Sequence, residues 1–148
     1  MENIIDELYM TSEEIKLLKC NLVFAKELKL IVDDSIEAIK VRCDKLNKLN
    51  EEKLKNNEVV FGLSYYPIHI YAQYELTNFK LEFISKKVSY NYKVITKKEK
   101  QDFYNNNNIF TRCNKDKFKY DEVEAVIEKR LREIEYDKEI NRIFCKLF

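Results

Sequence analysis

The 148 residues contain one glycine, one proline and one histidine. Folds of strands and tight turns place glycine where the backbone needs a positive φ, so this scarcity points to long helices joined by few sharp turns. Long apolar runs are also missing. None approaches the roughly 20 residues of a membrane-crossing helix, and the start "MENIIDELY" is acidic rather than a basic segment followed by an apolar core. The four cysteines, Cys20, Cys43, Cys113 and Cys145, stand far apart without CxxC spacing, and His69 is the only imidazole to join them. That spacing excludes the usual zinc frameworks and fits a reduced, cytoplasmic protein without metal or cofactor. There is no glycine-rich phosphate loop, no HExxH and no GxSxG.

Charge and apolar residues are present in plenty: 36% of the chain is charged and 45% hydrophobic, with a net charge of +1. Such a composition folds rather than staying disordered, and its length suits one domain over residues 1–148. The charge is unevenly placed. Residues 86–119 hold ten basic and three acidic side chains, whereas both flanking regions are net acidic.

Helical periodicity runs through most of the chain. Thr11 and Glu14 have capping-box spacing, followed by an apolar stripe of Ile15, Leu18, Leu22, Ala25 and Leu28. Ile4, Ile5, Leu8 and Tyr9 precede it as a separate short helix or an extra turn. Asp34 and Glu37 suit the start of a second helix with Ile36, Ile39, Cys43, Leu46 and Leu49, ended by Asn56-Asn57. "EVVFGL" is the one β-leaning run and reads as an extended connector. Ser64 as cap and Pro67 in the first turn open a helix with Ile68, Ala72, Leu76, Phe79 and Phe83 on its stripe. Thr96 with Glu99 caps a short helix. The last helix carries Val123, Ile127, Leu131 and Ile134, then Ile140, Phe144 and Leu147 after a slip of about a turn. At 1.5 Å per residue it is about 40 Å long, too long to be covered by a simple bundle of this size.

The acidic pairs Glu13-Glu14 and Glu51-Glu52 lie at helix starts or on polar faces and read as solvated surface. His69 reads as an ordinary histidine in the first turns of an amphipathic helix, and Cys20 and Cys145 as small residues beside apolar stripes. No acid, base, nucleophile or metal set converges, which predicts a protein that is not an enzyme.

"ITKKEKQDFYNNNNIF" resembles a motif of the chaperone module in parvulin-type peptidyl-prolyl isomerases, the SurA and PrsA group. Thr96, Glu99, Phe103, Tyr104, Asn107 and Phe110 carry the likeness. Val123, Ile127, Leu131 and the Tyr-Asp-Lys-Glu run at 136–139 are similar to that module's closing helix. "LVFAKELKLIVDDSIEAIK" is similar to an upstream passage, with Lys29 where the module has glycine. Only "TRCNKDKFKY" lies where the isomerases insert their catalytic domain. The resemblance implies an all-α fold of about five helices, N-terminal helices wrapping a long C-terminal one, and a chaperone-like protein without isomerase activity. Its partner is a protein or peptide client, or a second copy in a homodimer, with no membrane. The expected binding wall is Tyr65, Tyr66, Tyr71 and Tyr74 beside Phe24, since tyrosine offers contact area and tolerates exposure. The alternative is a nucleic-acid-associated protein or phage-type inhibitor acting through Lys97, Lys98, Lys100, Lys115, Lys117 and Lys119 of the basic segment.

Overall fold

The computed structural model describes residues 3–111 and 116–148, and these are all-helical. In chain order the elements are α1 (Ile4–Glu7), α2 (Ser12–Glu27), α3 (Glu37–Lys55), α4 (Ile68–Ile84), α5 (Lys97–Asn106), a 3-10 turn at Asn108–Phe110, and α6 (Tyr120–Leu147). The expected long C-terminal helix is α6, whose 28 residues span about 42 Å. It packs on α2, α4 and α5 in turn. The early residues form a helix of their own, ended where Tyr9 takes a φ of +54°.

Capping chemistry sets several boundaries. The Thr11 hydroxyl accepts the Glu14 amide at 3.2 Å, and the Glu14 carboxylate accepts the Thr11 amide at 3.5 Å. The Thr96 hydroxyl accepts the Glu99 amide at 3.1 Å. For α3 the structure corrects the expected role of Asp34. Ser35 Oγ takes the Ala38 amide at 3.2 Å, and Asp33 in turn accepts the Ser35 amide at 2.8 Å. Ser64 does not cap α4; Pro67 stands at its N-cap position without a side-chain bond.

The chain turns sharply despite its lack of glycine. After α2, α3 and α4 the residues Lys29, Asn57 and Lys86 adopt φ values of +63°, +57° and +57°. In each case the next amide reaches back to a carbonyl of the last turn: Leu30 to Ala25, Glu58 to Lys53, Lys87 to Glu82. These are Schellman endings built with lysine and asparagine at the position that favours glycine.

Three apolar clusters make the core. The first joins α2, α3 and α4 through Leu18, Leu22, Ile39, Ala72 and Phe79. The second sets Cys20, Phe24 and Leu28 against Phe83, Tyr136, Ile140 and Ile143. The third, at the other end of α6, holds Phe110, Val123 and Ile127 with Phe103 and Tyr104 of α5 packed against it. Thus α2 is buried on two faces, one carrying Leu18 and Leu22 and the other Cys20, Phe24 and Leu28. The slip in α6 falls at Arg132. Before it the buried positions are Val123 and Ile127; after it they are Tyr136, Ile140 and Ile143, while Ile134 turns outward.

Candidate functional site

The most constructed part of the surface is the connector between α3 and α4. Asn47, on α3, grips both main-chain groups of Tyr66: its Oδ1 accepts the Tyr66 amide at 2.7 Å and its Nδ2 donates to the Tyr66 carbonyl at 3.0 Å. One turn on, Asn50 is almost fully buried and donates to the Leu63 carbonyl at 3.3 Å. At the near end the Glu58 amide is tied to the Lys53 carbonyl at 2.8 Å. Gly62, at φ +83°, backs onto Tyr66, and a Cβ there would sit 2.8 Å from the tyrosine hydroxyl oxygen. Both the backbone angle and the close approach favour glycine. Between these anchors the chain holds Val59, Phe61, Leu63 and Tyr65 out to solvent; Phe61 is 89% exposed and Val59 70%. Tyr65 and Leu54 border a groove of about 420 Å³ together with Asp44, Lys48 and Glu51.

A second polar cluster joins α3 to α4. Arg42 makes two bonds to Glu75, Nε to Oε2 at 2.6 Å and Nη2 to Oε1 at 3.0 Å, and a third to the Asp33 carbonyl at 3.1 Å. The Tyr71 hydroxyl donates to Glu75 Oε2 at 3.1 Å. Burial, then the Glu75 carboxylate, push this hydroxyl well above the ordinary tyrosine range, so it remains a donor. Glu75 is the one buried carboxylate among the described residues, and its bonds are taken up inside the fold. It ties α3 to α4 rather than facing a cleft.

The five expected aromatic residues are not brought together on one open wall. Tyr66 and Tyr71 are buried, stacking with Tyr74 at centroid distances of 5.2 and 5.9 Å. Phe24 is buried in the separate cluster around Phe83 and Tyr136, 5.7 and 5.4 Å away. Only Tyr65 and Tyr74 reach water. The burial of Phe24 has a simple cause. Cys20, Phe24 and Leu28 follow one another at four-residue spacing, so they line a second face of α2, and α6 covers it together with Phe83 of α4.

The lysines of the basic segment are partly spoken for. Lys100 pairs with Glu124 at 3.4 Å, and Lys117 stands 4.0 Å above the Tyr104 ring. Lys119 is the N-cap residue of α6, Lys97 and Lys98 are exposed on the first turn of α5, and Lys115 lies outside the described residues. Nearby, Lys86 and Lys93 face Glu128 and Glu99. The acidic residues of α5 and α6 thus meet much of the charge that stood out in the sequence.

Sequence reasoning missed Asn47, Asn50, Arg42 and Glu75, whose links from Asn47 to Tyr66, Asn50 to Leu63 and Arg42 to Glu75 span 19, 13 and 33 residues of chain. The exposed connector did have a signal, since "EVVFGL" is apolar, extended and holds the one glycine. Among the described residues, no group of three or more His, Cys, Asp or Glu is placed to hold a metal ion, and no helix is long and apolar enough to cross a membrane.

No family model matches the chain, and no curated protein does. Two solved structures do. Both are of the GH136 lacto-N-biosidase from Eubacterium ramulus. The native protein aligns with a TM-score of 0.74 at 25% identity, and the selenomethionine derivative with 0.73 at 23%. Each alignment covers 88% of this chain but 27% of the other, so the chain spans about a quarter of the length of the structures it matches. This finding overturns the resemblance to the SurA and PrsA chaperone module. The residues behind that resemblance, Thr96 with Glu99 and the stripe from Val123, are a helix cap and an amphipathic face, which unrelated helical folds share. The chaperone function implied by it falls with it, and the nucleic-acid alternative gains no support from these neighbours.

Proposed function

We propose that this chain is a non-catalytic helical module of a carbohydrate-active assembly, serving a glycoside-hydrolase body that lies in the same or another polypeptide. One observation carries the reading: 88% of the chain takes the fold of a quarter of a lacto-N-biosidase. The chemistry of the described residues supports the non-catalytic part. Glycoside hydrolysis generally uses two carboxyl groups about 5–9.5 Å apart, flanking the scissile bond in a cleft. Here the one buried carboxylate, Glu75, is held by Arg42 and Tyr71. The substrate class of the assembly is then an oligosaccharide of the kind a lacto-N-biosidase cleaves.

The test has two arms. The purified chain alone should release no product from an aryl lacto-N-bioside or from a panel of other aryl glycosides. An affinity-tagged chain recovered from its own producing cells should bring glycosidase activity with it. Turnover by the chain alone that survives repurification would refute the non-catalytic role. Recovery with no glycosidase activity or glycoside-hydrolase sequence would refute the assembly.

A further inference from the structure

Resting on that reading, we infer that the connector 58–65 is the surface on which the glycoside-hydrolase body seats. A slack loop can leave apolar side chains in water by accident. This one is fixed by the Lys53 carbonyl at one end, Asn50 at Leu63 and Asn47 at Tyr66 on the other, with Gly62 shaping the bend. The bond from buried Asn50 to the Leu63 carbonyl offsets the cost of taking that amide out of water, and breaking it would leave a buried donor unpaired, which holds the loop in one shape. What the fixed shape does is hold Val59, Phe61, Leu63 and Tyr65 outward.

The occupant follows from size and from the comparison. A buried Phe or Tyr covers about 150–250 Å², so the two exposed rings alone offer a large part of the roughly 800 Å² that one side of a stable interface needs. That is a protein-sized contact rather than the footprint of a monosaccharide. In the lacto-N-biosidase this fold is continuous with nearly three-quarters of a chain that has no counterpart here. A module of this fold therefore has a larger body beside it, and the connector is the apolar surface prepared to meet one. Phe61, the most exposed ring of the connector, is the residue to fill a pocket on that body.

The experiment places the photo-cross-linker benzoylphenylalanine at position 61 of the full chain, in its producing cells, with a second chain carrying it at exposed Lys40. Cross-linked peptides are identified by mass spectrometry. Position 61 should join to a glycoside-hydrolase sequence, and position 40 should not. Phe61→Asp should cut recovery of the hydrolase with the tagged chain at least tenfold while circular dichroism and thermal midpoint stay unchanged. If the tagged chain recovers a glycoside hydrolase but position 61 joins nothing, joins another copy of this chain, or joins an unrelated protein, the docking surface is wrong and the proposed function stands. If no glycoside hydrolase is recovered at all, both fail.

Discussion

Arg42 and Glu75 show how one residue pair can decide the packing of two helices. The pair is bidentate, with distances of 2.6 and 3.0 Å, and Glu75 is buried. Removing Arg42 leaves that carboxylate without its cation in a low-dielectric site. Arg42→Met should therefore cost about 3–5 kcal/mol in urea unfolding. Arg42→Met with Glu75→Leu should recover most of it, because an apolar pair of similar volume carries no charge to desolvate. If the double variant is as unstable as the single, the pair acts through shape and not charge. Tyrosines give the fold a limit on the alkaline side. Burial, then Glu139, push the Tyr90 hydroxyl from 10.0 up to about 12, and burial pushes Tyr136 up as well. Below pH 10 both folded and unfolded chains keep these protons, so these two tyrosines add no pH dependence. Between about 10 and 12 the unfolded chain releases them while the folded chain does not, so stability falls as pH rises. Tyr90→Phe should flatten that fall in urea midpoints measured across this range; an unchanged slope would assign it to other groups.

At the scale of elements, four helices, α1 to α4, are followed by a non-glycine residue in the left-handed region, Tyr9, Lys29, Asn57 and Lys86, and each pays a steric penalty there. Lys29→Gly and Lys86→Gly should each stabilise the protein by about 1 kcal/mol, since glycine removes the Cβ conflict and keeps the backbone bonds. A loss of stability instead would mean that the lysine side chains themselves hold the turns. Much of the helical layout was legible beforehand because it is local. Thr11 with Glu14, Thr96 with Glu99, and the stripes from Ile15 and Val123 need only neighbours within one or two turns. The clamps were not legible, because nothing near Asn47 in sequence points to Tyr66, and nothing near Arg42 points to Glu75. Phe24 was misplaced on an open wall for the same reason. Its spacing from Cys20 and Leu28 defines a face, but Phe83 of α4 and Tyr136 of α6, which cover it, come about 60 and more than 100 residues later. The slip in α6 shows the same division. The sequence marks a change of stripe, while the structure shows its cause. Arg132 donates to the Lys93 carbonyl at 2.7 Å and Glu135 accepts the Lys93 amide at 2.6 Å, so the segment before α5 crosses the helix there. The connector of the candidate site was readable as extended, but its anchors were not.

Across the whole molecule, the three apolar clusters are unequal, and this sets how the chain opens. Two of them share α2 and α4 and hold most of the fully buried side chains, among them Phe24, Phe83, Leu18, Leu22 and Ile39. The third rests on Phe110, Val123 and Ile127, with α5 packing on α6 alone among its stronger contacts. A short helix with no fully buried residue of its own, held through one neighbour, should open before the rest. Native-state hydrogen exchange should then show α5 and the first turns of α6 opening at lower free energy than α2, α4 and the second half of α6. Phe110→Ala sharpens the test. Removing that buried ring costs about 3–5 kcal/mol locally. If α5 belongs to a separate opening unit, the variant should lose protection in α5 and early α6 while α2 and α4 keep theirs. If protection falls equally everywhere, α6 transmits the loss along its full length and the molecule unfolds as one unit. The functional reading bears on this, because connector 58–65 is anchored to α3 and α4, in the more stable part. A body seated there would meet a surface that stays formed while the far end of α6 opens and closes.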